Sequence, residues 1–251
     1  MVACVLIPGF ELRAALRARP ALALVPAALA PAEGEESLLG SVTAAAEAKG
    51  VRPGMRMGEA LATCPELVLV EQDPSAAEQA WEEILRRLED TGFEIDSGDL
   101  GCVFFETRGV ERLYGGVEAA LERALAAVGS AWDPRAGAAG RRFAALAAAN
   151  VARPGQVLIV ADERTRDFLA PLPLALLPLA EQRRRELEEL GVRNVGELAG
   201  LPGGAVAERL GPDGRRAWSL ARGRDRGVCR GDGPLLSSSR RSSFPRRSGT
   251  S

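Results

Sequence analysis

Residues 1–17, MVACVLIPGFELRAALR, decide how the rest of the chain is read. Val2 to Ile7 is an unbroken apolar run of strand length, Pro8-Gly9 interrupts it, and an amphipathic helix starts near Phe10. A buried strand feeding a tight turn and a helix is an α/β corner, and ligands usually gather at the carboxyl end of such a strand. Here that end consists of Leu6, Ile7, Pro8 and Gly9, which offer no acid, base or nucleophile.

Working outward from this corner, strands are predicted near Val2–Ile7, Leu22–Val25, Leu67–Val70, Gly92–Ile95, Cys102–Glu106 and Val157–Val160. Helices are predicted near Phe10–Arg19, Ser41–Lys49, Met57–Cys64, Ser75–Thr91, Val117–Val128 and Arg141–Ala152, with Pro134, Gly137 and Gly140 ahead of the last. Strand signals stop beyond Asp162, so a boundary is placed near Ala161, with short helices over 162–225. In RRRELEELGVRNVGELAGLPGG, Gly191 reads as a left-handed helix cap. Leu187, Leu190, Val192, Val195 and Leu198 read as a small apolar core. Residues 226–251 carry the Ser/Arg/Pro/Gly bias of disorder.

Composition narrows the chemistry. The chain of 251 residues is 46% hydrophobic and 26% charged, the balance of a globular protein. It has no histidine, which removes Ser-His and Cys-His catalysis and most transition-metal sites. Cys4, Cys64, Cys102 and Cys229 form no C-x-x-C pair and read as small buried hydrophobes. No apolar run approaches a membrane span and no secretory signal is legible, so a cytoplasmic, nucleoid-associated protein is expected. The net charge of −2 conceals a gradient: from Arg222 onward eight Arg face two Asp, net +6, which leaves the body at −8.

Several segments, in unbroken order over about residues 1–225, resemble the Y-family (UmuC-type) translesion DNA polymerases. AKGVRPGMRMGEALATCPELVLV is similar to that family's fingers element, and VFFETRGVERLYGG to its palm strand and following loop. AGAAGRRFAALAAANVARPGQVLIV is similar to the palm helix and last palm strand. LPLALLPLAEQRRRELEELGVRNVGELAGL resembles the thumb's helix-hairpin-helix. The resemblance implies an α/β (α+β) fold in which residues 1–161 form a palm with a fingers insertion at about 27–72. Residues 162–225 would then form an all-helical thumb, with 226–251 as a tail and no little-finger domain following.

The chemistry of such polymerases needs carboxylates that hold two metal ions about 4 Å apart. Matched residue by residue, the first-strand carboxylates fall on Leu6 and Pro8, and the Asp-Glu pair on Gly101 and Cys102, none of which suits magnesium. The Tyr and Arg that grip the triphosphate fall on Ala44 and Glu47, and Glu47 would repel it. This pattern is that of the ImuB-type branch, inactive polymerase homologues that work with an ImuA-type protein, a DnaE-type error-prone polymerase and the sliding clamp. The implied function is a non-catalytic accessory to translesion synthesis that binds primer-template DNA or scaffolds a mutasome, without a cofactor. The alternatives are an active polymerase with displaced carboxylates, which would need magnesium, and an inert truncated relic.

Arg52, Arg56, Arg141 and Arg142 are the candidate DNA contacts, the first two flanking the Pro-Gly turn and the others opening a helix. Asp96 and Asp99 in EIDSGDLG read as turn residues rather than metal ligands. Arg183, Arg184 and Arg185 read as a solvated face offset by Glu186, Glu188 and Glu189.

Overall fold

The computed structural model describes residues 1–31, 37–109 and 113–225. The first strand, β1 (Val2–Leu6), is apolar throughout because both its faces are covered. Ala3, Val5 and Ile7 point to one side, into a core shared with α1 (Phe10–Arg17), α4 (Pro74–Glu89) and α5 (Val117–Val128). Phe10 anchors that core, stacked on Trp132 and edge-on to Trp81. Cys4 and Leu6 alternate onto the opposite face.

β1 is the centre of a five-stranded sheet of order β4-β5-β1-β6-β7. β4 (Ile95–Ser97) and β5 (Cys102–Glu106) form a hairpin, β5 and β6 (Arg135–Ala139) flank β1 antiparallel, and β7 (Val157–Ile159) runs parallel to β6. β6 is absent from the sequence expectation because its RAGAA composition reads as turn or helix. The small residues serve contact: α6 (Arg142–Val151) lies so close that a Cβ on Gly137 would come within 2.3 Å of the Ala149 nitrogen and 2.4 Å of the Ala145 carbonyl.

Two other expectations shift. Leu22–Val25 is not a strand: Pro20–Leu24 forms a 3-10 turn with Leu24 85% exposed, and the strand comes later as β2 (Ala27–Leu29). The expected strand at Gly92–Ile95 begins only at Ile95, because Gly92, at φ +86°, still belongs to the turn closing α4. β2 pairs in parallel with β3 (Val68–Val70). Between them lie α2 (Ala44–Ala48) and α3 (Met57–Thr63), packed around Leu39, Ala46, Val51, Ala60 and Leu67. Thr43 ties this element together, since its hydroxyl caps Ala46, accepts from the Ala27 N–H and donates to the Val25 carbonyl.

The chain divides into two units, Met1–Thr165 with Asp225, and Arg166–Arg224. Past α7 (Thr165–Leu169), the second unit contains α8 (Glu181–Glu189), α9 (Val195–Gly200) and α10 (Gly203–Ala221), which is kinked at Gly211-Pro212. Gly191 has φ +85°, its N–H bonds the Glu188 carbonyl, and the Val192 N–H bonds the Leu187 carbonyl, the double closure of a left-handed cap. Leu187, Val192, Val195 and Leu198 are buried, but Leu190 is 55% exposed and leaves the expected core. It is the residue just ahead of the left-handed glycine and is exposed there with Glu188, Glu189 and Gly191, whereas Leu187 and Val192 on either side of them are buried.

Candidate functional site

The carboxyl end of β1 sits between two partners. In the strand register Leu6 lies opposite Cys102 on β5 and opposite Arg135 on β6, so the row Cys102–Leu6–Arg135 shares one face. Leu6 and Cys102 are both buried. The Cys4 and Cys102 sulfurs are 3.8 Å apart, one thiol donating to the other. Burial, and then that hydrogen bond, pushes the Cys4 thiol well above the usual range, with Arg142 opposing weakly. Arg135 turns away, its Nη1 donating to the Asn150 carbonyl near the end of α6.

Pro8 is half-buried, and its carbonyl accepts from Arg13 Nε at 2.9 Å while Arg13 also pairs with Asp133. Gly101 has φ +83°, and its carbonyl accepts the Ile7 N–H at 2.7 Å. A Cβ there would come within 2.7 Å of Phe10 Cβ and 2.8 Å of the Ile7 carbonyl oxygen, so the position is built for glycine. A leucine, a proline, a glycine and a cysteine do not fit magnesium, which takes hard oxygen ligands. Among the described residues, no group of three or more His, Cys, Asp or Glu is arranged to hold a metal ion.

Ala44 and Glu47 are both exposed on α2. Arg52 is exposed too, but its Nη1 donates to the Glu47 carbonyl at 2.6 Å and the Val51 carbonyl at 3.0 Å, closing the end of that helix. Arg56 precedes α3 and lines a shallow depression with Ser37, Leu38, Gly58 and Glu59, with no ion-pair partner among the described residues. The structure therefore sets Arg52 at the close of one helix and Arg56 at the start of the next.

At the start of α6, Arg141 is exposed and Arg142 is not. Arg142 pairs with Asp96 at 2.5 Å, stacks 3.7 Å from the Phe104 ring centroid, and its side chain is 18% exposed. Its guanidinium therefore already has a carboxylate and a ring face as partners. The reading of Asp96 as a turn residue is corrected: it lies in β4 opposite Phe104, and the turn proper is Gly98–Gly101, where the Asp99 carbonyl accepts the Cys102 N–H at 2.9 Å. The next helical N–H, that of Phe143, donates to the Asp225 carboxylate at 2.9 Å. No local pattern signals these partners, because Asp96 is 46 and Asp225 is 82 positions away.

The arginine run on α8 is offset as expected, though partly by a different acid. Arg183 bonds Glu186, while Arg184 and Arg185 both reach back to Glu181.

Comparison with known proteins gives one consistent result. Residues 6–152 match the impB/mucB/samB family. The chain is 27% identical over 231 residues to DNA polymerase IV of Pseudomonas savastanoi pv. phaseolicola, covering 91% of this chain and 64% of that one. It is 33% identical over 168 residues to Protein ImuB of Caulobacter vibrioides, covering 64% of this chain and 35% of that one. In structure it resembles DinB from Sulfolobus solfataricus with a TM-score of 0.72 at 18% identity, over 91% of this chain and 68% of the other. The Dbh ternary complex gives 0.67, also at 18% identity, over 90% of this chain and 68% of that one. The chain thus spans less than two thirds of the length of these curated relatives.

Proposed function

The chain belongs to the impB/mucB/samB family, the UmuC-type Y-family polymerases, and from that premise we propose that it is a non-catalytic accessory of translesion DNA synthesis that binds primer-template DNA without extending it. The observation that carries this reading is the pairing of Leu6 with Cys102 across β1 and β5. These are positions that the family resemblance assigns to metal-holding carboxylates, and here a leucine faces a cysteine. Gly101 supports the reading, since Phe10 and the Ile7 carbonyl fill the space that an acidic side chain would need. Ala44 and Glu47 support it as well, because neither can hold a triphosphate.

DNA is the partner this reading requires, with Arg56 and Arg141 as its open contacts and Arg52 as a third that would first release two carbonyls. An ImuA-type protein, a DnaE-type polymerase and the sliding clamp are the partners of the scaffold that the likeness to ImuB suggests. No helix among the described residues is long and apolar enough to cross a membrane.

A second reading, an active polymerase, is favoured by the relatives named DNA polymerase IV, which align over most of this chain. Primer extension decides between the two. Purified protein with primer-template DNA, all four nucleotides, and magnesium or manganese is expected to give no product above a no-protein control. Template-directed extension above that control overturns the accessory reading.

A further inference from the structure

Arg142 owes its position to a row of residues that crosses the sheet. Asp96, Phe104, Cys4 and Gly137 lie opposite one another on β4, β5, β1 and β6, and so share one face. Gly137 admits α6 onto that face, and Arg142, in the first turn of α6, extends over the row to Phe104 and Asp96. The aromatic stack alone can hold the guanidinium in place, since a cation over a ring face is attracted without any carboxylate. The ion pair is also not sealed: Asp96 stands on a three-residue edge strand with its side chain 35% exposed. A carboxylate on a guanidinium adopts the same forked geometry that a phosphate does.

We propose that Asp96 is an internal stand-in for a phosphodiester, and that Arg142, stacked on Phe104, is a nucleic-acid backbone contact that Asp96 holds out of use. This rests on the DNA-binding reading above. A backbone phosphate that displaces Asp96 exchanges one oxyanion for another on a guanidinium already oriented by the ring, while Asp96 turns out to solvent from the sheet edge. The neighbouring Phe143 N–H stays with Asp225, so the contact consists of the guanidinium alone.

The test is fluorescence anisotropy of labelled primer-template DNA against the full chain, in EDTA, over a range of salt concentrations. The proteins compared are wild type, Asp96→Asn, Arg142→Ala and the double variant, each checked for folding by thermal melt. Asp96→Ser replaces Asp96→Asn should the latter not fold. One added phosphate contact steepens log K against log salt by about 0.9 on duplex DNA. Asp96→Asn is therefore expected to bind more tightly than wild type, with an advantage that shrinks about threefold between roughly 50 and 200 mM salt. Arg142→Ala leaves the wild-type slope unchanged, and the double variant returns to it.

An unchanged slope in Asp96→Asn overturns the proposal, as does a steeper slope that survives in the double variant, where loss of negative charge alone would explain it. A shallower slope in Arg142→Ala alone also overturns it, because Arg142 would already be in use. Failure of Asp96→Asn to bind at low salt overturns this inference and leaves the absence of extension untouched. Primer extension by wild type overturns the accessory reading and leaves this metal-free titration standing.

Discussion

Gly101 and Gly92 provide an internal comparison at the scale of single residues. Both have left-handed backbone, at φ +83° and +86°, but only Gly101 is crowded, whereas a Cβ on Gly92 would meet nothing within 4 Å. Gly92→Ala is expected to cost about 1–2 kcal/mol, the penalty of the left-handed conformation for an L-residue. Gly101→Ala adds displacement of Phe10 and the Ile7 carbonyl and is expected to cost about 2–4 kcal/mol. Urea unfolding of both variants measures the difference, and equal losses would mean that the corner yields without strain. That Leu6, Gly101 and Cys102 bring no hard ligand to this corner was legible from residue identity alone. The fate of Arg142 was not, because its partners come from a different strand pair and pairing over such a distance leaves no trace in local spacing.

Among the elements, those with strong periodicity were legible and those defined by contact were not. Val117–Val128 has the bounds its apolar spacing predicts, because its buried face of Ala120, Leu121, Ala124, Leu125 and Val128 recurs with the helical period. β6 was missed because its residues are selected for the close approach of α6, and small residues carry no strand signature. In the helical unit, Leu187 and Leu190 both look like core, yet the cap geometry at Gly191 turns only one of them inward. The turn that follows is held locally as well: Asn194 accepts the Glu197 N–H, and Glu197 accepts that of Arg193, which holds the Glu197 carboxyl below its ordinary range. Leu198→Asp is expected to unfold this unit, since an unpaired charge at a buried position costs several kcal/mol. Leu190→Asp should change stability by no more than about 0.5 kcal/mol. Limited proteolysis with circular dichroism distinguishes the two, and unfolding by Leu190→Asp would contradict the exposure assigned to it.

For the whole molecule the governing quantity is charge distribution. A body of net −8 repels a phosphate backbone at long range, so attraction must come from a few local arginines and from the net +6 carried beyond Ala221. DNA affinity is expected to be weak and indifferent to base sequence, because phosphate contacts position a protein without reading bases. With about three contacts, the slope of log K against log salt should be near −3. Deleting residues 228–251, all of which, Cys229 included, lie outside the described residues, is expected to flatten that slope. An unchanged slope would assign all binding to the body. On the reading proposed here, the glycine at position 101 also limits what substitution can do. An acidic residue there would lose stability before any metal could bind, because its side chain must first displace Phe10 and the Ile7 carbonyl. Such a chain is therefore refined as a binder far more readily than it is turned to synthesis.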